Sequence, residues 1–550
     1  MKLSITTVKS DLEQLINAGD ASGIRQLYAR FQQQTDLDPD LCLLFASAFA
    51  SLGDMVSVEA CCRALISQVP DHYLGHFNLG LALQHQGKGD AAIESYVAAA
   101  SIRPTESGVW SNLAQLYADL MRYPEAIDAG ENALRRVPHA AVAMNNLGVI
   151  YRRSGDLEAA NQILRQALET EPGYADAVYN YGLVLADQDD GESAKSYYRR
   201  AIELRPDYVE AFTDLGSVCR TLAQYDEALQ AYDQALKIDP DYTEARWNRA
   251  LQLLMLGRFD QGWQDYETRW QSGGRGRRRF KRPVWKTEPL DGKRIFVYAE
   301  QGLGDTFQFI RLLALLKARG AITVVECQPS LVGVLHGVDG IDELVPRGGR
   351  RPVFDVHVAL LSLPGLLQID EHNIPASVPY LHAPTTANQP LVDVLSGGDG
   401  FRVGLVWAGN ASHSNDRNRS CRLQEFSELM QIDGVTCYGL QVGERAQDIG
   451  SLDAPASVID LSPQLQSFSD TAYALSQLDL VISVDTSVAH LAGAMGKPVW
   501  LLLPFVPDWR WLLDRDDSPW YPSMTLFRQD ATRQWAPVLE RVRAQLVMQK

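Results

Sequence analysis

The chain has 550 residues, with 51 lysines and arginines against 68 aspartates and glutamates and a formal charge of −17 at pH 7. That length allows roughly three to four domains, and the acidic balance disfavours a general role on nucleic acid or anionic membrane. No stretch approaches the ~18 to 20 apolar residues of a membrane span, and the opening MKLSITTVKSDLEQL lacks the apolar centre of a secretory signal, so a cytoplasmic chain is expected. The seven cysteines (42, 61, 62, 219, 327, 421 and 437) have no paired CxxC spacing; neither a disulfide framework nor a zinc site is expected, only buried free thiols.

From the N-terminus, prolines recur at Pro70, Pro104, Pro138, Pro172, Pro206 and Pro240, each 34 residues after the last. If each unit begins 31 residues before its proline, position eight reads Ala46, Gly80, Ala114, Gly148, Gly182 and Gly216. Position twenty reads Val58, Ala92, Ala126, Ala160, Ala194 and Ala228. Small residues at both places let two helices pack closely, and the larger Tyr96, Leu164, Tyr198 and Tyr232 at position twenty-four are expected to fill the space between neighbouring units. The pattern resembles the tetratricopeptide repeat over residues 39–270, with residues 1–38 as a helical cap.

Position six reads Asn78, Asn112, Asn146, Asn180, Asp214 and Asn248, expected on the first helix of each pair, along a concave face. A side-chain amide both donates to a carbonyl and accepts from an N–H, so such a ladder can hold an extended polypeptide acceptor with little regard to its sequence. Equally, asparagine here can serve only to order the helix pair. The ladder resembles that of eukaryotic protein O-GlcNAc transferase, a likeness of the repeats alone.

Residues 271–286, containing QSGGRGRRRFKRPVW, are Gly-rich and basic. They read as a linker or docking collar, solvated or in contact with an acidic neighbour, rather than as a nucleic-acid site. After them the texture changes to short apolar runs alternating with amphipathic segments: RIFVYA, a helix expected from Asp305 to Arg319, AITVVE and FDVHVAL. A second series, FRVGLVWAG, VTCYGLQ, LDLVISVD and KPVWLLLP, follows the Pro- and Gly-containing stretch 383–400, and a helix is expected over 532–548. The fold class is therefore an all-α solenoid followed by two α/β Rossmann-like halves, 287–390 and 400–550, with a nucleotide cleft between the carboxyl ends of their strands.

The first half opens with AEQGLGDTFQF, where Gln301, Gly302 and Gly304 form a tight loop after a strand and Asp305 starts a helix. A dinucleotide reading has Glu326 in the place of a ribose-binding acid. It fails because Phe307 takes the third glycine position and Asp305 puts a carboxylate where a pyrophosphate would sit. In the cleft Asp305 can accept the proton of an attacking hydroxyl; otherwise it caps its helix.

The second half carries DTSVAHLAGAMGKP, a helix start near Thr486 whose Thr486, Ser487 and Val488 amides and hydroxyls suit a diphosphate, with Asp485 before it and His490 one turn in. Asn410, His413, Asn415, Arg417 and Arg419 in VWAGNASHSNDRNRS suit a leaving nucleotide diphosphate. Trp509, Trp511, Trp520 and Tyr521 around Arg510 suit stacking on a base or sugar, or are core aromatics.

These stretches, GLGD and DTSVAHLAGAMGKP above all, resemble the heptosyltransferase-like group, glycosyltransferase family nine, in its bacterial subgroup with tetratricopeptide repeats. The resemblance implies a GT-B fold, a catalytic base at Asp305, and donor-phosphate binding by Asp485, Thr486 and His490, with the neutralising cation open among Arg417, Arg419 and Arg510. It implies an inverting, metal-independent transfer from a nucleotide sugar, with no further cofactor, to Ser or Thr of a bacterial protein such as flagellin. No DxD metal pair stands out: Asp189-Asp190 falls in the repeats, and Asp514 and Asp516-Asp517 read as a charged turn. Two alternatives keep other roles for the solenoid: recruiting a partner for a glycan or lipid-linked acceptor, or serving a non-catalytic scaffold.

Overall fold

A computed structural model describes residues 5–32, 38–271, 277–375, 377–397, 400–413, 415–454 and 457–550. The chain divides into two compact units, Met1–Leu222 and Ala223–Lys550. Part of the basic stretch, 272–276, lies outside the described residues.

The first unit is a run of helix pairs: α1 (Ile5–Asn17) with α2 (Ala21–Gln32), α3 (Pro39–Ser51) with α4 (Met55–Gln68), α5 (Tyr73–His85) with α6 (Gly89–Ile102), α7 (Ser107–Asp119) with α8 (Tyr123–Arg136), α9 (Ala141–Ser154) with α10 (Leu157–Thr170), and α11 (Ala175–Asp187) with α12 (Gly191–Leu204), then α13 (Val209–Thr221). Asp54, Asp156 and Asp190 cap their helices through backbone N–H bonds, which places Asp190 in a structural role. The small residues at positions eight and twenty are buried, and the reason is steric. A Cβ on Gly182 would meet the Tyr198 ring at 2.8 Å, and one on Gly148 would meet Leu164 at 2.5 Å. Position twenty-four therefore fills its own pair first, because the missing side chain at position eight leaves room for it. The Tyr96 hydroxyl also reaches Asn112 of the next pair. At the N-terminal end α1 and α2 pack on α3, burying Val8, Leu12 and Phe31. All seven cysteines are buried and free.

The second unit begins with the last repeat helices, α14 (Tyr225–Ile238), α15 (Thr243–Met255) and α16 (Phe259–Tyr266), and a 3-10 turn over Glu267–Trp270. Its first sheet has strands β1 (Arg294–Tyr298), β2 (Ile322–Cys327), β3 (Glu343–Pro346) and β4 (Val356–Ala359) in the order β3-β2-β1-β4. The second has β5 (Phe401–Val406), β6 (Val435–Gly439), β7 (Val458–Asp460), β8 (Leu480–Val484), β9 (Val499–Leu503) and β10 (Met524–Arg528) in the order β10-β9-β8-β5-β6-β7. Every ladder is parallel. Apolar runs such as VWLLL in β9 are buried throughout, as strands covered on both faces require.

The second order is the doubly wound one, which reverses between β5 and β8; the first reverses between β1 and β4. Helices complete the layers: α17 (Leu303–Phe309), α18 (Leu313–Ala318), α19 (Val332–Leu335), α20 (Leu363–Leu366), α21 (Gln389–Ser396), α22 (Asp416–Arg419), α23 (Phe468–Ser476), α24 (Ser487–Ala494) and α25 (Ala536–Gln549). The helix expected over 305–319 is interrupted by a 3-10 turn at Ile310–Leu312. α25 closes the second sheet, where Val538, Val542 and Leu546 share a core with Trp500 and Phe527.

The glycine fit yields a paired test. Gly182→Val should lower stability by about 1–3 kcal/mol through overpacking against Tyr198. Gly108→Ala, in a helix with nothing within 4 Å of the new Cβ, should be neutral or stabilising. Urea unfolding followed by circular dichroism reads both, and equal effects would contradict the packing account.

Candidate functional site

The site lies where the two sheets reverse order, at the carboxyl ends of β1, β5 and β8. After β1 the chain runs through Glu300, Gln301 and Gly302. Arg269, from the turn after α16, donates to Glu300 Oε1 at 3.1 Å and to Ser362 Oγ at 2.7 Å, and burial pushes the Glu300 carboxyl up to about 7. Gln328 Nε2 donates to the Gln301 carbonyl at 2.9 Å, fixing the loop. Gly302, not Asp305, is the N-cap, and α17 starts at Leu303. Asp305 stands at the third helical position, where Oδ2 accepts the Gly302 N–H at 2.8 Å. An acid three residues past the cap reaches back to the cap's amide. Gly304 does not shape a turn. It lies inside α17, where a Cβ would meet His490 Cδ2 at 2.8 Å, so its bare backbone lets α24 approach.

On α24, which packs against α17, Thr486 is the N-cap, with no side-chain cap bond. Its Oγ1 lies 3.3 Å from Ser483 Oγ, and Ser487 opens the helix. His490 is buried; Nδ1 is 2.9 Å from the Tyr521 hydroxyl and its ring stacks on Trp511 at 5.3 Å. Burial, with Arg510 and Arg311 nearby, drives its pKa well down, so the ring is neutral and the 3.8 Å approach to Asp485 is not an ion pair. Trp511 Nε1 donates to Asp485 Oδ2 at 3.0 Å. Burial first and Asp508 second nevertheless push the Asp485 carboxyl up to about 6.

Arg510 joins the two sides. Its guanidinium pairs closely with Asp305, donates to Asp508 Oδ1 at 2.7 Å and to Gln308 Oε1 at 2.8 Å, and lies over the Trp509 ring at 4.3 Å. Its side chain is 11% exposed, against 16% for Arg419, and two of its bonds go to carboxylates. Tyr266 at the end of α16 is buried beside Asp305 and Arg510. Arg311 donates to the Tyr380 hydroxyl at 2.7 Å and to the Trp520 carbonyl.

The loop after β5 brings one residue into contact. Arg419 donates to the Asp485 carbonyl at 3.2 Å and lies 3.4 Å from Asp416, while a Cβ on Gly409 would collide with its guanidinium. Asn410 Oδ1 accepts from Ser412 N and Oγ at 3.0 Å, making a local turn, and His413 Nδ1 accepts from Asn415 N at 3.1 Å. Both, with Arg417, are exposed on the loop.

Other residues weighed in the sequence take structural places. Trp509, Trp511, Trp520 and Tyr521 are each 4% exposed or less, so they are core and offer no stacking face. Glu326 is buried in an ion pair with Arg278 and presents nothing to a ribose. Asp517 pairs with Arg515 at 2.7 Å in a charged turn. The position-six side chains tie repeats together: Asn180 Nδ2 donates to Asn145 Oδ1 at 2.8 Å, and Tyr179 donates to Asp214 at 2.6 Å. Asn112 meets Tyr96, Asn78 is half-buried, and Asn146 is exposed and accepts from Asn145 at 3.4 Å. Asn248 sits on α15 in the second unit.

The sequence did not single out Asp508, Gln308, Tyr266 or Arg311. Asp508 carried one usable signal, its place immediately before the Trp509–Trp511 turn that it caps.

Comparison with known proteins agrees on the repeats. Residues 58–107, 105–170, 174–241 and 213–271 match the tetratricopeptide repeat. Protein FlbA of Caulobacter vibrioides is 24% identical over 321 residues, which are 50% of this chain and 50% of that protein, so the chain spans about half the length of that relative. Among solved structures, YrrB, a tetratricopeptide-repeat protein with an unusual peptide-binding site, is 22% identical over 34% of this chain and 95% of its own, with a TM-score of 0.28. A tetratricopeptide-repeat protein from Parabacteroides merdae is 18% identical over 43% and 94%, with a TM-score of 0.39. Residues 58–271 thus carry tetratricopeptide repeats, and two sheets of parallel strands follow them. Among the described residues no helix is long and apolar enough to cross a membrane.

Asp485 sets a pH dependence. Its folded pKa of about 6 lies above the ordinary value of about 4, so ionising it opposes folding, and that penalty grows as pH rises from about 4 to about 6. Asp485→Asn should therefore raise the melting temperature near neutral pH, with the gain shrinking as the pH falls toward about 4. A gain independent of pH would contradict this reading.

Proposed function

We propose that the second unit is a GT-B glycosyltransferase that moves a sugar, with inversion, from a nucleotide-sugar donor to a Ser or Thr hydroxyl of a bacterial protein such as flagellin, working in the cytoplasm. The observation that carries the reading is the Asp305 carboxylate on the helix after β1, paired with Arg510, with the neighbouring Gly304 against His490 of α24. In the reaction the acceptor hydroxyl gives its proton to Asp305 while its oxygen bonds the anomeric carbon. The bond from that carbon to the diphosphate oxygen breaks on the opposite face, and the electron pair leaves with the nucleoside diphosphate. Arg510, held by Asp508 on one side and Asp305 on the other, and Arg419 are the cations in reach of that charge. Asn410, His413, Thr486 and Ser487 complete the donor side, and His490, neutral and bonded to Tyr521, orients rather than neutralises. The chemistry asks for no resident cofactor beyond the donor.

The inter-repeat bonds of Asn180 and Asp214 favour a second reading of the solenoid, in which position six orders the helices and the repeats recruit a partner for a glycan or lipid-linked acceptor.

Thermal-shift screening with UDP, ADP, GDP and CMP sugars should reveal one stabilising donor. With that donor, Asp305→Asn should cut transfer by about 10² to 10⁴ while leaving donor affinity near normal. Near-normal transfer by this variant would make Asp305 a helix residue only, and the absence of any stabilising donor would overturn the transferase reading.

A further inference from the structure

The first sheet carries an outer edge that the chemistry above does not use. Trp285 N donates to the His357 carbonyl at 2.8 Å and His357 N to the Pro283 carbonyl at 3.1 Å, so the end of the basic stretch runs alongside β4. Just before it, Phe280 is packed against Phe296, Tyr298, Phe354 and His357, with ring centroids 4.4–5.8 Å away. The Arg278 and Arg351 guanidiniums also lie against its ring, at 5.2 and 5.3 Å. One aromatic anchor therefore brings together two basic segments far apart in sequence, 277–282 and 347–351.

Part of this charge is used internally. Arg278 pairs with Glu326, Arg277 with Glu267 at 3.4 Å, and Arg347 donates to the Ala299 carbonyl. Arg279, Lys281, Arg282, Arg350 and Arg351 are exposed, and among the described residues none has a carboxylate in ion-pair reach. Five uncompensated cations on one edge stand out in a chain of charge −17. Val353, 75% exposed, adds an apolar contact beside them.

We propose that this edge is a docking surface for an acidic segment of a partner polypeptide. Guanidinium forks match carboxylates in a two-bond geometry. The size of the polyanion decides among classes. A bilayer or a long nucleic acid would bring many negative charges over the rest of an acidic protein, within the screening length of about 8 Å. A short run of Asp and Glu keeps its charge over the patch. Nucleic acid also lacks a stacking platform here, because the Phe280 ring is already covered by its neighbours. The surface is independent of the transferase reading, and its test involves no donor.

The test is fluorescence anisotropy of a labelled oligoglutamate with the full chain, alongside phosphatidylserine vesicles and oligothymidylate. The oligoglutamate should bind, with an affinity that falls as salt rises. Replacing Arg279, Lys281, Arg282, Arg350 and Arg351 together by Ser should weaken it about tenfold or more at an unchanged melting temperature. The milder Lys281→Glu variant should weaken it several-fold, and an Arg→Lys set, which keeps the charge but loses the forks, should weaken it less than the Ser set does. Absence of oligoglutamate binding, undiminished affinity in the Ser and Glu variants, or tighter patch-dependent binding of vesicles or oligothymidylate would overturn the proposal.

Discussion

The second unit depends on one partly buried contact, the Arg510 guanidinium between Asp305 and Asp508. Asp305 belongs to the helix after β1 and Arg510 to the turn after β9, so the contact ties the loop ends of the two sheets. A largely enclosed cation held by two carboxylates is costly to leave half made, because the group left behind is partly desolvated without a partner. Its setting is closely packed: Trp509 lies under the guanidinium, Gln308 takes a further N–H, and Tyr266 of the last repeat helix is buried nearby. The same contact gives Arg510 a chemical option, since a guanidinium held by carboxylates can transfer a bond to an incoming diphosphate.

The neighbouring contacts follow from close packing at this junction. Gly304 has no side chain because His490 occupies that space, and Gly493 is bare because Tyr521 and Met524 occupy it. His490 can be buried because Tyr521 and Trp511 give it a bond and a stacking face, and burial then keeps it neutral. Trp511 in turn supplies the hydrogen bond that holds Asp485. The aromatic cluster is thus the support of the polar groups rather than a surface beside them.

Much of the architecture was legible in the sequence because it rests on spacing. A proline every 34 residues with small residues at two fixed positions specifies close-packed helix pairs, and uninterrupted apolar runs specify buried parallel strands. The candidate site was legible at its motifs, since the Gly302–Asp305 and Asp485–His490 stretches do sit at the carboxyl ends of β1 and β8. What the sequence withheld depends on contacts between distant segments. Nothing near residue 305 points to residue 510. Glu326 looks like a free acid until Arg278, 48 residues earlier, pairs with it. Asn180 looks like one rung of a binding ladder until Asn145 takes its amide. A helix start also moves by two residues when glycine caps it, because the acid that marks the start in sequence is the one reaching back to the cap.

The central claim is that Asp305 and Arg510 act on each other across the junction, and a double-mutant cycle measures this directly. Every tryptophan but Trp110 lies in the second unit, so tryptophan fluorescence during urea unfolding follows that unit. Asp305→Asn, Arg510→Met and the double variant should give an interaction energy of about 1–3 kcal/mol, the double losing clearly less than the sum of the singles. Additivity within about 0.5 kcal/mol would mean that the two side chains do not hold the sheets together, and would contradict the account.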